Sequence, residues 1–299
     1  MIALAVLLAT LASISFACGA SAQHVGVDRA FVTKDPDRRL GLSQLVTLLK
    51  TPVWLFGLLL VALGACIHII AVYLAPITVV QPIGILAVIW SVLIAARLHH
   101  TTPTGTMWLA VAASVIGIVF FTVLSTRHVT HSRSASLHAM LVTTGVVWAV
   151  AAAFAVVGMV GPRWMRNLGW SWGGAVLYGL GTGYMKIMTV VLKDGQVFTG
   201  PEFWAAAVGL ALAYGVGGVL IQQGYASGPA EVVVGSMTTI DPLAAVLVGL
   251  VVLGEGARIT PVVGVGMALA GALAAGGVAV LSRFHPDTQR HLAEQVAGG

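Results

Sequence analysis

The sequence predicts an all-α, polytopic integral membrane protein with about nine transmembrane helices and two inverted-topology repeats, and three observations predict it. Of 299 residues, 58% are hydrophobic and only 8% are charged, with a mean hydropathy of +0.98. A soluble domain of this length cannot hide that much apolar surface. The apolar runs repeatedly reach the ~20 residues that cross a ~30 Å hydrocarbon core as helix, the element that pairs all its backbone groups internally. Finally, segments from the first part of the chain recur in the last part.

The spans fall at residues 2–19, 53–74, 77–98, 106–125, 137–157, 170–192, 203–222, 229–253 and 259–281. The end of the first overlaps "ACGASA" at residues 17–22, which looks like a cleavage site, but no Lys or Arg precedes the run and the basic "RAFVTKDPDRRL" follows it. That charge order argues for a retained helix with its N-terminus outside. The inner segments then hold Arg29, Lys34, Arg38, Arg39, Lys50, Arg97, Arg163, Arg166, Arg283 and Arg290, against Arg127, Arg133, Lys193 and Arg258 outside. This excess obeys the positive-inside rule and puts the C-terminus in the cytoplasm; the expected location is the plasma (bacterial inner) membrane.

Trp54, Trp108, Trp170 and Trp204 lie at helix ends, where an amphipathic ring suits the headgroup region, whereas Trp90 and Trp148 lie mid-span. Between the first two spans, "LGLSQLVTLLK" puts Ser43, Gln44, Thr47 and Lys50 on one helical face with leucines elsewhere, a helix lying on the membrane surface. Cys18 and Cys66 sit at different depths and cannot pair. His128, His131 and His138 match no strong metal spacing and read as a polar outer loop. "DPD" at Asp35–Asp37 reads as a charged loop, and the tail 284–299 as a solvated cytoplasmic helix.

"TPTGTMWLAVAASVIGIVFFTVLS" in the fourth span resembles "TPVVGVGMALAGALAAGGVAVLS" in the ninth, with Gly105 and Gly117 spaced like Gly264 and Gly276. Similarly "PVWLFGLLL" in the second resembles "PEFWAAAVGLAL" in the seventh. A shift of five spans reverses direction, so the repeats are inverted about a midplane site. One membrane domain, 1–299, thus divides into repeat one (1–126), a connecting helix (136–158), repeat two (169–283) and the tail.

These features, with "WLFGLLLVALG", "AVYLAPITVVQPIGILAVIWSVLIA" and "YGLGTGYMKIMTVVLK", resemble the drug/metabolite transporter superfamily, and most closely its nine-helix NIPA-type magnesium-transporter branch. The resemblance implies a transporter built from two oppositely oriented halves. The branch commonly ends its third helix in an acidic residue, where this chain has His99 and His100.

Independently of resemblance, the rare intramembrane polar groups mark the site, since each is costly unless paired or hydrated. Counted from the inner helix ends at ~1.5 Å per residue, Lys186, Asp241, His68 and Gln81 share one depth, roughly 21–24 Å up. Lys186 shares its face with Gly179, Thr182 and Gly183. Pro242 leaves the Thr238 carbonyl without its helical partner, so a kink is expected to turn that oxygen, Thr239 and Asp241 toward a cavity. The substrate or coupling set is therefore Asp241, Lys186, His68, Gln81, Thr238 and Thr239, with no catalytic residue, metal ligand or cofactor. "GLGTG" follows no strand, so it reads as close helix packing rather than a nucleotide site.

The expected function is secondary transport of a small solute by alternating access. A NIPA-type divalent-cation carrier is the alternative, as is a membrane enzyme or accessory protein acting on lipid-linked substrates. Short loops without paired carboxylates or a nucleophile system argue against an enzyme. The expected partners are the lipid bilayer, a small-molecule or ion substrate and a second copy of the chain in a homodimer, with no nucleic acid.

Overall fold

Pro52, Pro201 and Pro261 each begin a helix, at the position where a missing N–H costs nothing and the fixed φ is already helical. The computed structural model describes residues 2–30, 41–74, 83–84, 86–98, 102–128, 137–193, 200–252 and 259–284, and among them it contains helices and no strand. The helices are α1 (Ile2–Ala30), α2 (Leu42–Leu48), α3 (Pro52–Leu74), α4 (Leu86–Leu98), α5 (Gly105–His128), α6 (Leu137–Val160), α7 (Arg163–Lys193), α8 (Pro201–Ser227), α9 (Ala230–Val252) and α10 (Pro261–Phe284).

Six of them, α1, α5, α6, α8, α9 and α10, are long and apolar enough to cross a membrane. Shorter apolar stretches, Pro52–His68 and Leu86–Leu98, occupy α3 and α4. The charges Arg163, Arg166, Lys186 and Lys193 make α7 less apolar, although it runs for 31 residues. Many large apolar side chains face outward, among them Leu109, Leu141, Val146 and Val262. Lipid is as apolar as these side chains, so close packing and hydrogen bonds, not burial from water, hold such helices together.

Small residues supply that packing. α1 and α3 run antiparallel: a β-carbon on Gly19 would lie 2.8 Å from the Gly57 carbonyl oxygen, and one on Gly26 would lie 2.7 Å from Trp54 Cβ. The Ser15 hydroxyl donates to the Leu60 carbonyl oxygen at 2.8 Å across the same pair. Trp90 of α4 donates its indole N–H to Ser13 Oγ at 3.2 Å, which satisfies the one polar atom of a mid-span ring. α5 and α10 also run antiparallel, with a β-carbon on Gly117 placed 2.5 Å from the Ala274 nitrogen and one on Gly277 placed 2.5 Å from the Ala110 carbonyl oxygen. α7 packs against α6, α8 and α9, and α9 touches α4 and α10 through Gly235, which faces Val278 and Val88.

Several details differ from the sequence expectation. α1 continues past residue 19 to Ala30 because Gly19 and Gly26 hold it against α3 for its whole length. α7 begins at Arg163, directly after Pro162, not at residue 170. The helix-end tryptophans divide: Trp108 and Trp204 are exposed, but Trp54 and Trp170 are buried against Gly26 and Gly158. The segment expected to lie on the membrane surface contains α2, seven residues long and too short to cross, with Leu48 buried and Val46 and the following Leu49 exposed. Cys18 and Cys66 are both free thiols.

Candidate functional site

α9 carries the polar run of Ser236, Thr238, Thr239 and Asp241, and most of it turns back on its own helix. Ser236 Oγ donates to the Val232 carbonyl oxygen at 2.6 Å, and Thr238 Oγ1 to the Val234 carbonyl oxygen at 2.9 Å. Thr239 is buried. Asp241 instead reaches out of the helix, where its Oδ1 accepts a long hydrogen bond, 3.4 Å, from Thr182 Oγ1 of α7. The carboxylate is half-buried and Thr182 is exposed.

The glycines around Thr182 create this approach. A β-carbon on Gly179 would lie 2.5 Å from both the Asp241 carbonyl oxygen and Ala244 Cβ, and one on Gly183 would lie 2.5 Å from Val248 Cγ1. Four residues along α7 thus match about four along α9, so the two helices run parallel with Thr182 at their seam. Gly181 faces α8, where a β-carbon would lie 2.6 Å from the Tyr214 ring. The Tyr214 and Tyr178 rings are 4.9 Å apart between centroids, and Gly217 of α8 in turn lies against Tyr178. Thr182 also hydrogen-bonds the Tyr214 side chain. Three helices therefore bring one carboxylate and the hydroxyls of Thr182 and Tyr214 into one neighbourhood, with the Tyr178 ring packed beside that of Tyr214. Such a set offers hard oxygen ligands to a cation or to its bound water.

The other expected residues take separate places. Lys186 stands one turn beyond Thr182 on the same helix and is exposed. His68 faces α1, its ring 6.4 Å from that of Phe16, and its Nδ1 is buried without a hydrogen-bond partner. Gln81 lies outside the described residues, as do His99, His100, His131, Asp35, Asp37 and the tail beyond Phe284.

α9 is not broken at Pro242. It is helical from Ala230 to Val252 with Pro242 inside. One lost backbone bond is outweighed by the contacts that hold the helix on both sides of it, Asp241 and Ala244 against Gly179 and Val248 against Gly183. "GLGTG" is a helix-packing element, as expected. His128 Nδ1 lies 2.9 Å from the Leu124 carbonyl oxygen of its own helix, and among the described residues no three His, Cys, Asp or Glu gather as metal ligands.

Sequence reasoning missed Tyr178 and Tyr214. The available signal was the pattern "YGLGTGY", whose glycines at alternate positions free two different faces of α7 for neighbouring helices. It also missed a second polar cluster. Trp54 Nε1 donates to Gln222 Oε1 at 2.8 Å, Gln222 Nε2 donates to Gln23 Oε1 at 3.2 Å, and His24 Nδ1 lies 3.0 Å from the Tyr225 carbonyl oxygen. Gln23 and His24 lie beyond residue 19, where the sequence reading ends the first span.

The magnesium transporter NIPA family matches residues 2–166, more than half of the 299-residue chain. No curated protein and no solved structure matches the chain. The matched stretch runs from α1 to the first turn of α7, the part where the glycine-packed α1/α3 pair and the apolar spans α5 and α6 were found. An all-helical, multi-pass membrane architecture and this match together give one conclusion: the chain belongs to the NIPA magnesium transporter family.

Proposed function

We propose that the protein carries a divalent cation, magnesium first, across the plasma membrane by alternating access, with Asp241 at the centre of the path. The contact of Asp241 with Thr182 at the α7/α9 seam, beside Tyr214 and Tyr178, carries this reading. Mg²⁺ sheds its water reluctantly and is commonly held through one or two carboxylates with several waters retained, so one aspartate among hydroxyls suits it better than a crowded cage. The family match ends before Asp241, so the role of this residue rests on geometry.

The packing order supports two halves of inverted topology. α1 packs on α3 and α4, and α7 packs in the same order on α8 and α9, while α5 and α10 meet antiparallel. That arrangement suits rocking about a midplane site. The basic inner segments support a cytoplasmic C-terminus and an outer N-terminus. His68, Gln81, Thr238 and Thr239 remain members of the proposed path.

Reconstituted vesicles loaded with a magnesium-sensitive dye test the proposal. Asp241→Asn keeps the size and one oxygen, so it is expected to fold and insert. Its uptake should fall roughly ten- to a hundredfold, as for loss of a charge-assisted contact worth about 1.5–3 kcal/mol. Wild-type uptake by that variant would remove Asp241 from the path. Lys186, exposed on the Thr182 face, favours a second reading in which an anionic or zwitterionic metabolite is carried. On that reading Lys186→Gln abolishes metabolite uptake, whereas a cation carrier keeps its magnesium uptake.

A further inference from the structure

The polar cluster around Gln222 joins parts of the chain far apart in sequence. Gln23 and His24 come from α1, Trp54 from α3, and Gln222 and Tyr225 from α8. Gln23 and Trp54 are 5% and 7% exposed, so these bonds are shielded from exchange with water. His24 Nε2 also lies 3.7 Å from Asp28 Oδ2 on its own helix. The contact differs from the glycine-packed pairs, because side chains of α1 and α3 reach across to α8, two of them to the Gln222 side chain and His24 to the Tyr225 carbonyl oxygen.

Its position relative to Asp241 gives it meaning. Gln222 is eight residues along α8 from Tyr214 (222−214), ~12 Å at helical rise. Tyr225 lies near the turn into α9, and Asp241 lies eleven residues beyond Ala230 (241−230), ~16 Å further in. The cluster therefore sits about two to three turns to one side of the Thr182–Asp241–Tyr214 neighbourhood, between helices of the first and last parts of the chain. At that neighbourhood Thr182 and Tyr214 are exposed, whereas Gln23 and Trp54 are buried.

We infer that Gln23, Trp54 and Gln222 form a gate, shut in this structure, that closes the path to Asp241 on the side where α8 ends and α9 begins. This rests on the alternating-access reading above. The bonds suit a gate: they are neutral, few and made by side chains, so they can break without exposing an unpaired charge, and water entering the opened seam can replace each one. Backbone-to-backbone glycine contacts cannot separate in that way without leaving an empty gap.

The test uses the full chain with Cys18→Ala and Cys66→Ala, carrying Gln23→Cys, Gln222→Cys and a reporter, Thr182→Cys, in membrane vesicles of both orientations. A reversible bis-methanethiosulfonate reagent links positions 23 and 222, and an impermeant maleimide is then applied from the side of the cluster. Before linking, Thr182→Cys should react as the gate opens. After linking its labelling should fall on the order of tenfold and return on reduction. Unchanged labelling after complete linking would overturn the gate. A parallel variant that needs no cross-link, Trp54→Phe with Thr182→Cys, should label faster than its Trp54 parent, and equal rates would also count against the gate. Magnesium uptake by the parent chain bearing only Cys18→Ala and Cys66→Ala reads the transport proposal separately. If that chain carries no magnesium while labelling still switches, the gate stands and only the choice of cargo falls.

Discussion

Two of the seams that join the early helices to the late ones are built on different principles. At α5/α10 the backbones nearly touch: Gly117 lies against Ala270 and Ala274, Gly277 against Ala110, and Ser114 Oγ reaches the Ala274 carbonyl oxygen at 3.2 Å. At α1–α3/α8 the bridge is side chain to side chain, Trp54 to Gln222 to Gln23. The first seam has no atoms to spare, so any separation forfeits many contacts at once. The second can part at the cost of a few neutral hydrogen bonds, each worth ~1 kcal/mol net. The difference teaches which interface is scaffold and which can move.

Substitutions can break or sharpen this contrast. The largest effect is expected from Gly117→Leu, since its first side-chain carbon already collides with the backbone of α10. Forced overpacking costs about 1–3 kcal/mol or more, so the yield of folded protein and the detergent melting temperature should both drop sharply. A well-folded Gly117→Leu protein would remove the claim of a rigid seam.

Gln23→Leu should come next. It strips the acceptor from Gln222 Nε2 in a buried setting and leaves that donor unsatisfied, a penalty of about 1–3 kcal/mol. Because the gate also opens in normal operation, most of the loss should appear as faster opening, read by thiol labelling, with a smaller change in melting temperature. A melting change as large as that of Gly117→Leu would make this seam scaffold too.

Thr182→Val is expected to have a moderate effect. It keeps the shape and removes the 3.4 Å bond to Asp241, so magnesium uptake should fall several-fold, as for a long and therefore weak hydrogen bond of about 0.5–1.5 kcal/mol, with unchanged folding. The smallest effect belongs to Ser114→Ala. Its hydroxyl divides between Ala110 of its own helix and Ala274, so the α5/α10 seam should lose no more than about 1 kcal/mol of thermal stability. A greater loss would show that hydrogen bonding, not backbone approach, holds that seam.

Much of the fold was legible in the sequence because the bilayer imposes a simple rule: apolar runs of sufficient length become helices. The runs read at 53–74, 137–157 and 203–222 correspond to α3, α6 and α8 with small shifts at their ends. The shifts were systematic. Gln23, His24, Gln222 and Tyr225 were left at or beyond helix ends because hydropathy falls there, yet the helices continue where polar side chains find partners on a neighbour. Asp241 was legible for the same reason that it is costly, an acidic group in an apolar run. Its partner was not, since nothing in one sequence tells which of many hydroxyls will face it.

By itself the sequence determined that this is a helical membrane protein, that several of its runs are long and apolar enough to cross a bilayer, and that Asp241 is a conspicuous carboxylate within one of them. Those are properties of single segments against a uniform solvent. Only the tertiary structure decided that Thr182, not Ser236 or Thr238, meets Asp241, that Tyr178 and Tyr214 join it, that α9 stays helical through Pro242, and that Trp54 turns inward to Gln222. Each of these depends on how closely two backbones approach, and that distance is set by which glycines of different helices come to oppose one another, information that no single helix carries.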